Sequence, residues 1–350
     1  MSWPKKENIT QGAVAMLQTN MGLKAGETLI VATDVPRSGD WKTASPARLA
    51  NMLERAMLAR LVADVAAEQF PECQVLFLPF PSAGGHGAEP GAEAAAEMQK
   101  ADVLVALTTY SLSHTNARQA VTEAGGRAAS MPSFEAHMLE PGGPMAADYE
   151  QIAADCRTWA DLLTQATEVQ VRTPQGTDLR FSLEGRPGHT DDGFYDGSGA
   201  QPWGNLPAGE TYAVPLEGTG EGVLVAPAGW YPELEEDMAF HFEQGKVVAL
   251  QGGGAVGDEF RELLQLDSDA PAYQARRNLA ELGIGTNPYA RRPDNVLEAE
   301  KIKGTVHIAI GDNIHMGGRV EADLHEDFVQ PEADLILDGR PVIVGGTWQI

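Results

Sequence analysis

Three runs in the first third of the chain, GETLIVATD, CQVLFLPF and ADVLVALTTY, are apolar without alternation and are separated by segments with helical spacing. A strand with one wet face alternates polar and apolar side chains, so a strand that does not alternate is covered on both faces. The intervening segments supply that cover. TQGAVAMLQTNMG makes a short amphipathic helix stopped at Gly22, SPARLANMLERAMLARLVADVAAEQ keeps apolar residues at helical spacing for many turns, and GAEAAAEMQKA starts another helix after a loop. Residues 1–165 are therefore expected to form a doubly wound α/β domain around a mainly parallel sheet. Pro79 and Pro81 are expected to break the second strand. The loop PSAGGHG precedes a helix but lacks both the GxGxxG order and a Lys-Ser pair, so it reads as an ordinary loop rather than a phosphate cradle. His114, at a strand end, reads as a capping or core histidine.

After an amphipathic helix over 149–167 the period changes. EVQVRTPQGTDLRFSLEGR alternates around PQGTD, a hairpin signal, and GVLVAP, MAFHFEQGKVVALQGG and ADLILDGRPVIVGGTWQI add glycine-punctuated strands. Residues 166–350 are expected to form a mainly antiparallel β domain with one or two helices from GDEFRELLQLDSDAPAYQARRNLAEL, Glu281 standing near the end of the second.

Fifty acidic against 25 basic residues give a net charge of −25. A surface this acidic repels polyanions and attracts cations, so neither nucleic acid nor membrane is expected as a partner. No apolar run approaches the ~20 residues of a membrane span and MSWPKKENIT lacks an apolar leader core, so a cytoplasmic protein is expected. Cys73 and Cys156 suggest neither a CxxC pair nor a disulfide framework and read as buried free thiols.

The chemistry concentrates between residues 281 and 327, where ELGIGTNP, EKIKGTVHIAIGDN and HED follow one another. Glu281, Glu300, His307, His325 and Asp327 offer the carboxylates and imidazoles that zinc, manganese, cobalt or iron accept, and Glu210 in NLPAGETYAVP adds one more. His325 and Asp327 are two apart, which on a strand puts both on one face and turns Glu326 away. Each residue alone also has a plain reading: an edge-strand pair, a satisfied core histidine at His307, a solvated loop carboxylate at Glu300, a strand-entry residue at Glu210. Only the ensemble makes a metal centre the better reading.

The ordered blocks LPAGETYAVP, LAELGIGTNP, EKIKGTVHIAIGDN and HEDFV resemble the signature blocks of the aminopeptidase T family, the thermophilic-type leucyl aminopeptidases, in a leucyl aminopeptidase-like branch. The resemblance implies a metallo-aminopeptidase: a homodimer with two divalent ions per chain, zinc, cobalt or manganese, held by Glu210, Glu281, Glu300, His307, His325 and Asp327. It implies a metal-activated water, Glu281 or Glu300 as general base and later acid, and a peptide substrate with a free N-terminus. Where that family has a tyrosine after the histidine strand, this chain has Ile314, with Asn313 and His315 as possible substitute donors. A rival reading lies in the same superfamily. Dihydroxypyridine dioxygenase uses one ferrous ion and keeps the HxD pair, with a histidine near the position of Glu281, and the glutamate here favours the hydrolase. A metal-binding protein without catalysis is the third.

Overall fold

The computed structural model describes residues 3–199 and 201–350. The chain divides into two compact units. One runs to Glu150 and takes back Asp191–Ala208; the other comprises Gln151–Thr190 and Gly209–Ile350. The division expected near residue 165 thus differs in two places, since the helix Tyr149–Gln165 falls almost wholly in the second unit and a later segment returns to the first.

The first unit is built on the expected parallel sheet. Strands β1 (Thr28–Val35), β2 (Gln74–Pro81), β3 (Val103–Thr108) and β4 (Arg127–Pro132) are ordered β2-β1-β3-β4, with Trp203–Asn205 added beside β4, and every pairing is parallel. Strand β3 is buried along its whole length, as its uninterrupted apolar run requires. Strand β2 departs from expectation. It pairs through both prolines to the end, because at the edge of the sheet a missing N–H costs no ladder bond on the open side. The long helix Pro46–Gln69 starts where Ser45 accepts from the Arg48 N–H and Pro46 takes the first turn. His114 packs edge-on against Trp203 within this unit.

The second unit contains two antiparallel sheets. The larger has eight strands in the order Lys246–Gly252, Met238–Glu243, Glu221–Ala226, Asp178–Ser182, Glu168–Arg172, Asp334–Leu337, Arg340–Val344 and Thr347–Trp348. The hairpin signal is realised here, with Glu168 opposite Ser182 and Arg172 opposite Asp178. The smaller sheet carries the polar cluster. Its strands are β5 (Gly188–Asp191), β6 (Glu210–Ala213), β7 (Leu279–Gly285), β8 (Val306–Gly311) and β9 (His325–Gln330), ordered β9-β8-β7-β6-β5. Phe240, Phe260, Phe328 and Tyr231 form an aromatic cluster in this unit's core, Phe240 and Phe328 with ring centroids 4.7 Å apart.

Strand β7 corrects an expectation. LAELGIG is a strand buried at every position rather than a helix end. The preceding helix, Pro271–Arg276, has already stopped, and a short apolar run with two glycines fits the crowded centre of a sheet. Cys73 and Cys156 form no disulfide; Cys156 is buried, whereas Cys73 is partly exposed. Among the described residues no helix is long and apolar enough to cross a membrane.

Candidate metal centre

Strand register explains why dispersed residues meet. His307 on β8 lies opposite Gly283, Asp327 on β9 opposite Ala309, and His325 opposite Gly311, while Glu210 on β6 lies opposite Gly285. Small residues between the polar ones leave space for their side chains. At Gly283 the fit is tight: a Cβ there would lie 1.9 Å from His307 Nε2. Beside Glu281 the register of β7 against β8 slips by one residue, a bulge of the kind that re-aims a side chain.

The alternation expected of HED is observed. His325 and Asp327 share a face, whereas Glu326 points the other way and accepts a 2.9 Å hydrogen bond from the Tyr231 hydroxyl.

Among the described residues two groups of potential ligand atoms result, each lying within 4.8 Å of one another: Glu281, His325 and Asp327, and Glu210, Glu281 and His307. Glu281 belongs to both. Its Oε2 is 3.2 Å from His325 Nε2 and its Oε1 is 3.5 Å from His307 Nε2. Glu300 is not brought into either group. It follows the short helix Val296–Ala299, and its Oε1 lies 2.9 Å from the ammonium of Lys301, which also lies 2.6 Å from Glu210 Oε1. Lys301 is fully buried and sequence reasoning misses it. Nothing in EKIKG separates it from Lys303, which pairs with Asp155 at 2.7 Å and stays 38% exposed.

The electrostatics follow from packing acids against imidazoles. Burial by itself would raise the Glu281 carboxyl, but His307 and His325 against its two oxygens hold it well below the usual carboxylate range. Burial opposes the charged form of His307, yet Glu281, Glu210 and Asp327 outweigh it and push the imidazole up to about 9. His325 is likewise held well above its ordinary value, burial opposing and Asp327 and Glu281 prevailing. Burial pushes Glu300 up to about 8, with Lys301 pulling down and Glu210 and Asp327 adding to the rise. A carboxylate this acidic, with both oxygens facing imidazoles, is poorly suited to the general-base role expected of Glu281.

The donor set fits a divalent ion. Asp327 Oδ1 and Glu210 Oε2 are buried without a hydrogen-bond donor, the state expected of carboxylate oxygens awaiting a cation. The Asp312 carbonyl lies 2.8 Å from His325 Nδ1; with a proton kept on Nδ1, loss of the Nε2 proton would turn a lone pair towards Glu281 and Asp327. The substitute donors suggested beside Ile314 are not both available. Asn313 is fully buried, its amide N–H donating to Glu217 and its carbonyl accepting from the Val320 N–H, and the His315 side chain lies outside what the structure describes. Ile314 itself is 41% exposed on the turn after β8.

Comparison with known proteins tells against the peptidase reading. The model of the family described as 2,5-dihydroxypyridine 5,6-dioxygenase (NicX) matches residues 16–350. A 2,5-dihydroxypyridine 5,6-dioxygenase of Pseudomonas putida KT2440 is 25% identical over 266 residues, 71% of each chain. Among solved structures, the 2,5-dihydroxypyridine dioxygenase of the same organism superposes with a TM-score of 0.70 at 19% identity, covering 98% of this chain and 97% of that one. AmpT from Thermus thermophilus superposes at 0.64 and 17% identity, covering 99% and 100%, a likeness of fold. The metallo-aminopeptidase reading is thereby overturned, along with its hydrolase and protease assignment, and the preference for it drawn from Glu281 goes too: a match along nearly the whole chain outweighs one substituted ligand. The chain belongs to the 2,5-dihydroxypyridine 5,6-dioxygenase (NicX) family.

Proposed function

We propose that this chain is a dioxygenase that opens a hydroxylated nitrogen heterocycle of the 2,5-dihydroxypyridine type, with one ferrous ion held by Glu281, His325 and Asp327. The observation that carries the reading is the family match over residues 16–350, within which all three ligands lie. One imidazole and two carboxylates suit iron(II), which accepts mixed nitrogen and oxygen donors with positions left open for reactants. Bound iron would supply the redox chemistry by which dioxygen adds across an aromatic bond.

The protein groups do the rest. Asp312 fixes the His325 ring through its backbone carbonyl, so the imidazole need not reorient on loading. Glu281 stays ionised through the working pH range because its two imidazole neighbours hold it so. Glu300, raised to about 8, keeps its proton at neutral pH and gives the buried cluster a carboxyl able to release one as pH rises.

The test is anaerobic reconstitution with iron(II) followed by 2,5-dihydroxypyridine and air. Uptake of one dioxygen per ring, with loss of the ring's ultraviolet band, is expected, and His325→Ala should reduce it to background. Stoichiometric iron binding with no uptake on any hydroxylated pyridine would overturn the reading.

A further inference from the structure

The second group of ligand atoms, Glu210, Glu281 and His307, sits beside the first and shares Glu281 with it. Its donors are almost wholly buried, and Glu210 Oε2 faces His307 Nε2 at 3.4 Å with no hydrogen-bond donor of its own. By donor chemistry this is a second cation seat. The other oxygen of the same carboxylate is already taken: Glu210 Oε1 lies 2.6 Å from the Lys301 ammonium, which reaches Glu300 Oε1 at 2.9 Å.

Charge decides what such a seat can hold. Glu210, Glu281 and Asp327 bring three negative charges, Glu300 a fourth only when it gives up its proton, and Lys301 one positive. One divalent ion therefore leaves the cluster at zero or −1, whereas two leave it at +2 or +1, positive charge shut away from water. A dication on Glu210 Oε2 would also stand within one carboxylate's span of the ammonium on Oε1, and like charges so close in a dry site repel strongly.

We propose that Lys301 is a resident counter-cation that keeps the second seat closed, so that the chain takes one divalent ion rather than two. The inference rests on the reading that Glu281, His325 and Asp327 hold the first ion. Lys301 is a positioning residue: it touches neither substrate nor metal, and acts by fixing Glu210 and Glu300 and by the charge it places next to the seat.

Manganese(II) is the probe, with bound metal counted by equilibrium dialysis and elemental analysis and the spectrum read by electron paramagnetic resonance. The wild-type chain should bind one equivalent tightly and show the six-line pattern of an isolated ion. Lys301→Met should bind a second at least ~100-fold more tightly than the wild type does and show spin coupling between neighbouring ions. Lys301→Arg keeps the charge and should stay at one. Because Lys301→Met leaves Glu210 and Glu300 without their cation, Lys301→Met with Glu300→Gln is measured beside it, the double variant also holding position 300 neutral.

Two equivalents of similar affinity in the wild type would overturn the inference. So would one equivalent in both methionine-bearing variants when circular dichroism shows them folded. Absence of any tight manganese in the wild type would overturn it together with the first seat. One equivalent in the wild type and two in Lys301→Met, without dioxygen uptake by the iron form, would uphold the inference while the proposed reaction failed.

Discussion

His307 and His325 show how little a residue's identity says without its neighbours. Both rings are held charged among carboxylates, His307 up to about 9 and His325 well above its ordinary value. A group whose pKa is higher in the folded than in the unfolded chain stabilises fully below the unfolded value and loses that contribution as pH rises through the folded one. The metal-free protein is therefore expected to lose stability between pH 6.5 and 9, by up to roughly 3 kcal/mol from His307. Glu300 acts in the same direction, because a carboxyl raised to about 8 resists an ionisation that the unfolded chain makes freely. Urea titrations across that range, with chelator present, check this; a flat or rising profile would contradict it. The same protons compete with metal, so affinity should climb over this interval and loading should release protons, seen as buffer-dependent heats in calorimetry. His325 and Asp327 were legible in the sequence because a two-residue spacing on a strand forces a shared face. Lys301 was not, since its partner Glu210 is distant in the chain and a lysine after a glutamate reads as solvated.

At the level of elements, the centre depends on what strand β7 lacks. Gly283 sits opposite His307, and an added Cβ would lie 1.9 Å from His307 Nε2, too close for any rotamer adjustment of the alanine itself. Gly283→Ala must therefore displace the ring or separate β7 from β8. A loss of roughly 2–4 kcal/mol is expected, with weakened binding of a second metal ion in any variant that opens the Glu210–Glu281–His307 seat. Thermal melts with metal counting check it, and an alanine variant with wild-type melting would show that the ring moves freely. The sequence hid this strand. LAELGIG has neither strict alternation nor helical spacing, and a glutamate before Gly-Ile-Gly reads as a helix end; only pairing with β6 and β8 makes it a strand. Elsewhere periodicity was enough. The uninterrupted runs of β1 and β3 and the alternating hairpin at 168–182 declared their environments directly, because continuous burial and one-sided burial leave different patterns.

For the molecule as a whole, the division into units determines where a metal ion would act. Glu210, Glu281, His307, His325 and Asp327 all lie in the unit formed by Gln151–Thr190 and Gly209–Ile350, on four adjacent strands of one sheet. An ion that binds only the folded state stabilises it by mass action, about 4 kcal/mol at a thousandfold excess over its dissociation constant. That free energy falls first on the strands that must stay paired for the ligands to meet. Hydrogen exchange on metal-loaded and chelated protein is therefore expected to differ most in β6, β7, β8 and β9 and little in β1 and β3, whose ladder contains no ligand. The net charge of −25 sharpens the test, since self-repulsion of so acidic a chain is relieved by salt throughout, whereas a bound dication relieves it at one place. Added sodium chloride should slow exchange in both units, and manganese in the second alone. Equal protection of β1 and β3 by manganese would mean that the ion acts as a diffuse counter-ion, and the centre built by the register of β6 to β9 would then have no claim to it.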